Sequence, residues 1–391
     1  MSPGSRRELL LSIYPQYRQA KRSGKALILN GFCAATGYHR KYAIHLLAHP
    51  PELKPKPRRA RPRRYGPAVI RVLSRIWEAA GYPWSVRLKA LLPLWLPWVR
   101  QRWRLSPALE EQLMAMSPRT MDRALRSCKR QLGRRLYGRT KPGSLLKHQI
   151  PVQTSTWSEA QPGFTEMDLV SHSGNAASGE FLHSLNLTDI TTTWVETRAV
   201  LGKGQTGIVQ MLAEIAEALP FPLRGVDSDN GSEFINQHLL RFCRDRQIQF
   251  TRSRPYKKDD NAHIEQKNWT HVRKLLGWDR YDSPDALSAL NDLYRNELRL
   301  MMNLFQPTVK LAAKKRVGSK LRRTYAPAQT PLDRLATHPD ADPQRVQALL
   351  LLRQSLNPFE LSKIIERKLK TIYGLANSRL SPQSATTDEV A

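Results

Sequence analysis

Residues 223–234 read LRGVDSDNGSEF. The start, Leu223 to Asp227, has the pattern of a short strand, and a helix is expected from Glu233. Between them lies Asn230-Gly231, a pair suited to a sharp turn because glycine tolerates positive φ. In open α/β sheets, ligands and metals collect where strands end. Three carboxylates, Asp227, Asp229 and Glu233, fall at this junction. The cluster reads as a solvated turn, a helix N-cap or part of a metal site. Glu233 fits the first turn of the helix, where a carboxylate favours the helix dipole. Asp227 and Asp229 remain as candidate ligands, since period-two alternation aims them to the same side if the strand runs on.

The surroundings point to a mixed sheet. GFTEMDLVSH (163–172), GEFLHSLNLTDI (179–190) and TTWVETRAVL (192–201) are expected strands, with a turn at Asp189–Thr193. A helix at 207–219, the strand at 223–227, a helix at 233–246 and a short strand at 248–252 follow. RSRPYKKDDN (252–261) is polar, a long helix is expected from about Ala262, and 283–304 is helical. A strand meander followed by alternating helices and strands implies an α/β layer fold with five strands.

Two further acids sit where acids are costly. Asp168 falls inside the first strand among Phe164, Met167, Leu169 and Val170, which calls for a partner or a cation. On a helix at 100° per residue, Glu265 shares a face with Trp269, Val272, Leu275 and Leu276. Gln266, Lys267, Arg273 and Lys274 then face outward. A carboxylate on an apolar face takes either a local Arg or a shared metal ion. Sixty residues separate Asp168 from Asp229, and 35 separate Asp229 from Glu265.

With MDLV around Asp168, DNGSEF at 229–234 and DDNAHIEQKNWTHVRKLLG at 259–277, the chain resembles the DDE transposases and retroviral-type integrases over about 150 residues. That resemblance implies a ribonuclease-H-like core holding Asp168, Asp229 and Glu265 as catalytic, metal-binding residues. It implies two Mg²⁺ or Mn²⁺ ions, with Asp168 bridging both, Asp229 on one and Glu265 on the other. Hard cations of this kind prefer carboxylate oxygens. The His/Cys zinc module of retroviral integrases is missing from the sequence, which favours the bacterial insertion-sequence branch. Near the triad, Asn230, Asn261, His263 and Asn268 are candidates for contact with DNA or the scissile phosphate. His263 serves equally as a hydrogen-bond partner behind a ligand.

Charge organises the rest. The 391 residues carry a net +30, and it is uneven. Residues 1–150 hold 32 Lys and Arg against 6 acids, 151–300 hold 16 against 20, and 301–391 hold 15 against 7. So lopsided a distribution indicates a polyanionic partner, most simply double-stranded DNA. GFCAATGYHRKYAIHLL (31–47) has the cadence of a helix-turn-helix, with Ala43, Ile44 and Leu47 inward and His39, Arg40 and Lys41 toward DNA. The expected domains are this helical one (1–50), a basic Pro-rich linker (51–67) with Arg58, Arg59, Arg63 and Arg64, and a second helical DNA-binding domain (68–150). In the last, Ser117 and Pro118 start a helix presenting Arg119, Arg123 and Arg126. Trp77, Tyr82, Trp84, Trp95, Trp98 and Trp103 are assigned to its core. After the catalytic core (151–304) come a basic β segment (305–335) with Lys315, Arg316, Arg322 and Arg323, and a helical tail (336–391). Its helices are expected near 343–356 and 358–372, before a disordered end. Lys257 and Lys258 are expected to touch DNA phosphates.

No stretch is long and apolar enough to span a membrane, and three scattered cysteines exclude a zinc cage or disulfide framework. A cytoplasmic, nucleoid-associated protein without a small-molecule cofactor is expected. Binding of element ends and target DNA as at least a dimer is implied by the resemblance. A non-catalytic DNA-binding regulator and a ribonuclease-H-like nuclease without strand transfer are the rival readings.

Overall fold

The computed structural model describes residues 1–49, 64–131, 161–175, 178–228, 237–252, 264, 267–318 and 320–377. It divides into two compact units, Met1–Arg64 and Tyr65–Ala391.

The first unit holds three helices, α1 (Pro3–Gln19), α2 (Arg22–Thr36) and α3 (Arg40–Ala48). Gly37 ends α2 in the left-handed region at φ 71°, a conformation that favours glycine. The His39 side chain then caps α3 by accepting from the Lys41 amide. Leu10, Leu29, Phe32, Ala43 and Leu47 form the core. Ile44, expected inside, is 42% exposed. Ala43 and Leu47 are one turn apart and take the inward stripe, while Ile44 is rotated about 100° from Ala43.

The second unit begins with α4 (Pro67–Ala79), α5 (Ser85–Trp103), α6 (Pro107–Ala115), α7 (Pro118–Ala124) and α8 (Arg126–Gln131). Ser117 is the N-cap of α7, its hydroxyl accepting from the Thr120 amide. Trp77 and Trp95 are buried, and Trp98 and Trp103 pack partly buried against the same core. Tyr82 and Trp84 are 43% and 50% exposed, contrary to expectation. They lie on the α4–α5 connection, where Tyr82 at φ 61° turns the chain and stacks edge-on against Trp77.

The sheet follows: β1 (Phe164–Ser171), β2 (Leu182–Asp189), β3 (Val195–Leu201), β4 (Gly225–Ser228) and β5 (Gln249–Arg252), in spatial order β3-β2-β1-β4-β5. The first three pair antiparallel, while β1, β4 and β5 run parallel. Parallel neighbours need crossovers, supplied by α9 (Gln205–Ala218) and, before β5, by a stretch that includes α10 (Gln237–Asp245). Every residue of β2 is buried, as expected of a strand covered on both faces.

The outer edge of β3 is closed by side chains. Asn291 accepts from the Ala199 amide and donates to its carbonyl, and Asn303 does the same for Val195. Those amides would otherwise template another strand. The start of β1 is fixed by Gly163, whose amide donates to buried Asp189 and whose carbonyl accepts from Arg224 and Gly225.

Beyond the sheet, a π-helical turn, Asn268–Arg273, runs into Lys274–Leu276, together α11. Next comes α12 (Pro284–Leu293), which continues through π turns at Tyr294–Leu298 and Met301–Phe305. A hairpin, β6 (Leu311–Val317) and β7 (Lys320–Tyr325), turns at Gly318. Three helices end the described chain, α13 (Pro331–Ala336), α14 (Pro343–Ser355) and α15 (Pro358–Gly374). On α15, Phe359 meets Trp95 and Trp103 edge-on at 4.9 and 5.2 Å, tying the tail to α5. Of the described helices, none is long and apolar enough to cross a membrane.

Candidate active site

Side chains two residues apart on a strand share a face, and so do cross-strand partners. On β1, Glu166 and Asp168 therefore point to one side. Glu166 is in register with Asp227 of β4, and Asp227 with Thr251 of β5. Asp168 is in register with Asn186 of β2, and Asn186 with Thr197 of β3. Two polar rows thus cross one end of the sheet, on the side to which α11 is fastened.

Each acid of these rows has identified partners. Asp168, half-buried, accepts from the Leu169 amide at 2.8 Å and from the Asn268 side-chain amide at 2.6 Å. Asp227, 1% exposed, accepts from the Thr251 hydroxyl at 2.6 Å. Glu166, 3% exposed, accepts from the Ile264 amide at 2.9 Å. Ile264 immediately precedes Glu265 in the chain, and Asn268 follows it by three positions. The segment flanking Glu265 is consequently held to β1 at Glu166 on one side and at Asp168 on the other.

The helix itself departs from the 100° wheel. Val272 and Leu276 are buried as expected, but Lys267, expected outward, is 5% exposed, and Trp269, expected inward, is 37% exposed. The π turn of Asn268–Arg273 adds a residue to each hydrogen-bonded ring and shifts the phase. Lys267 donates to the Thr193 carbonyl at 3.2 Å. Burial, then the charges of Arg87 and Arg334, hold its amine well below the ordinary lysine range. His271, buried beside it, is likewise pushed well down by burial and then by Lys267 and Arg87. Both side chains are buried within the fold rather than facing solvent.

Of the other expected residues, His39, Arg40 and Lys41 are exposed around the start of α3, with Arg40 bonded to Asn30. Arg119, Arg123 and Arg126 are exposed on α7 and α8, and Arg316 and Arg322 on the hairpin. Arg64, inside the expected linker, is described and exposed. Asp229, Asn230, Lys257, Lys258, Asn261, His263, Glu265, Arg58, Arg59 and Arg63 lie outside the described residues, as do the side chains of Lys315 and Arg323. Among the described residues no group of three or more His, Cys, Asp or Glu side chains is arranged to hold a metal. Glu166, Asn186 and Thr197 were not anticipated. Glu166 carried a legible signal, the alternation in TEMD. Asn186 and Thr197 became recognisable only through their register with Asp168.

The order of the strands and this acidic sheet end define a ribonuclease-H-like, integrase-type core. The family model of the integrase core domain matches residues 158–258. An uncharacterised protein of Sinorhizobium fredii, y4rM, is 40% identical over 340 residues, 85% of this chain and 96% of that one. The chain belongs to the DDE transposase and integrase superfamily. Among solved structures it is similar to the catalytic core of BIV integrase, with 12% identity, TM-score 0.29, and 44% of this chain and 91% of that one covered. It is also similar to the HTLV-2 integrase core, a dimer determined with magnesium, with 16% identity, TM-score 0.28, and 38% and 90% covered.

Proposed function

We propose that this chain is an insertion-sequence DNA transposase that cuts element ends and joins them to target DNA, with Asp168, Asp229 and Glu265 as its catalytic carboxylates. The observation that carries the reading is the convergence on β1. Asp168 lies on the same face as Glu166 and Asp227, and Ile264 and Asn268, which bracket Glu265, are both bonded to acids of that strand. If β4 keeps its alternation two residues past Asp227, Asp229 falls beside Asp168.

The donor set suits a hard divalent cation. Asp168 offers carboxylate oxygen from a half-buried sheet end, and Glu166 and Asp227, on the same face, are oxygen donors as well. Asp168, Asp229 and Glu265 would hold two Mg²⁺ or Mn²⁺ ions, which supply activation of the attacking oxygen and stabilisation of the departing 3′ oxygen. The chain's own contribution is placement. Residues of β1 and α11 hold carboxylate oxygens in fixed directions, so little reorganisation is needed when the phosphodiester arrives. Water is the nucleophile for donor cleavage, and the freed 3′ hydroxyl for joining.

Binding of DNA is assigned to His39, Arg40, Lys41 and the linker arginines, to Arg119, Arg123 and Arg126, to Lys257 and Lys258, and to the hairpin's Lys315, Arg316, Arg322 and Arg323. Pairing of two ends requires at least a dimer on DNA. The test is a Mn²⁺-dependent strand-transfer assay with duplexes ending in the short inverted repeats that this reading expects to flank the gene. Joined donor–target molecules, lost in Asp229→Asn, are expected. Normal joining by Asp229→Asn at unchanged metal dependence overturns the assignment. Hydrolysis without joining favours the nuclease, and absence of Mg²⁺ or Mn²⁺ binding favours the regulator.

A further inference from the structure

Asp168 is the end point of a directed chain of hydrogen bonds that crosses three strands and α11. The Thr197 hydroxyl donates to Asn186 Oδ1 at 2.7 Å. Asn186 Nδ2 donates to Asn268 Oδ1 at 2.6 Å. Asn268 Nδ2 donates to Asp168 Oδ2 at 2.6 Å. Asp168, Asn186 and Thr197 are successive cross-strand partners, and Asn268 spans the first two from α11. Asn186 is 0% exposed and Thr197 5% exposed, so water does not compete readily for these groups.

The chemistry of the groups fixes the direction. An ionised carboxylate only accepts, so the Asn268 atom facing it is the NH₂. Its carbonyl must then meet the NH₂ of Asn186, and the Asn186 carbonyl needs a donor, which the Thr197 hydroxyl supplies. Reversal of either amide would set two acceptor oxygens 2.6 Å apart. The amide of Asn268 is therefore held in one of its two orientations from behind, by groups that touch neither ion nor DNA.

We propose that Asn268 is a positioning residue for Asp168, and that Asn186 and Thr197 act through it by locking its amide. This rests on the assignment of Asp168 as a metal ligand. The Asn268 bond and the Leu169 amide, at 2.8 Å on the other oxygen, clamp the carboxylate against rotation. A carboxylate has about four acceptor sites, so two such bonds do not exhaust it. Groups that orient a ligand in this way commonly change metal affinity by about 10–100-fold when removed.

The test measures Mn²⁺ affinity of the full chain by titration calorimetry, beside melting of the metal-free protein. Asn268→Leu and Asn186→Leu, close in shape to asparagine, are each expected to weaken Mn²⁺ binding about 10-fold or more. Thr197→Val, a hydroxyl exchanged for a methyl, is expected to weaken it several-fold, and it decides the matter if the leucine variants fail to fold. Because Asn186 acts through Asn268, the double variant Asn186→Leu/Asn268→Leu should bind no more weakly than Asn268→Leu alone. A purely structural role would lower the metal-free melting temperature and leave Mn²⁺ affinity of the folded protein unchanged, which overturns the proposal. So do losses that multiply in the double variant. If instead Asp168→Asn binds Mn²⁺ as the wild type does, the assignment of Asp168 itself fails.

Discussion

Mild acid should loosen this core from the end of β1, and His172 is the reason. It follows β1 directly, is fully buried, and shares its Nε2 with the Ser184 hydroxyl at 2.8 Å, which in turn meets the Tyr294 hydroxyl at 2.7 Å. Its Nδ1 has no hydrogen-bond partner among the described residues. Burial, then the nearby Arg273 and His183, push its pKa from 6.5 down to about 3. An unfolded chain takes up a proton below about 6.5 while the native chain does not. The stabilisation is thus complete above pH 6.5 and is lost as pH falls toward 3. The whole difference is worth about 5 kcal/mol, of which about 1 kcal/mol is lost by pH 5.5. His271, pushed well down by burial and then by Lys267 and Arg87, adds a loss of the same sign. Urea unfolding at pH 7.5 and 5.5 measures it. His172→Phe should remove about 1 kcal/mol of the pH-dependent loss, whatever its effect at pH 7.5. A variant with the same pH dependence as the wild type would refute the placement of a neutral His172 in the core.

Other expectations follow from the geometry. Gly163→Ala should cost at least about 2 kcal/mol in urea unfolding, because φ is +110° and the new Cβ would clash with the Pro222 carbonyl oxygen; an unchanged midpoint would contradict that close approach. Lys267→Met should stabilise the protein by about 1 kcal/mol or more in calorimetry at pH 6, since it removes a buried amine. Its advantage should shrink at pH 9, where the unfolded chain holds that proton less firmly; a constant difference would refute a lowered Lys267. Arg316→Ala with Arg322→Ala should reduce the salt slope of DNA binding by about 2 in filter or anisotropy titrations if both residues contact phosphates.

Much of this architecture is written locally. The alternation in GFTEMDLVSH, GEFLHSLNLTDI and TTWVETRAVL predicts β1, β2 and β3, and Gly318 marks the hairpin turn. Ser117-Pro118 announces α7 through its own cap. Some misjudged residues have an environment decided by distant chain, others by a local turn. Trp269 and Lys267 exchange roles because α11 is wound as a π turn against β1 and Thr193. Tyr82 and Trp84 look like core by composition, yet a left-handed turn turns them out.

The same division runs through the candidate site. By itself the sequence determined the acidic strand and the spacing of Asp168, Asp229 and Glu265 that carries the resemblance, because acids within apolar patterns stand out along the chain. Only the tertiary structure decided that Glu166 sits beside Asp227, that Ile264 and Asn268 fasten to β1, and that Asn186 and Thr197 stand behind Asp168. Strand register and helix phase fix those contacts, and both are set by packing between residues up to 100 positions apart, where no local pattern reaches.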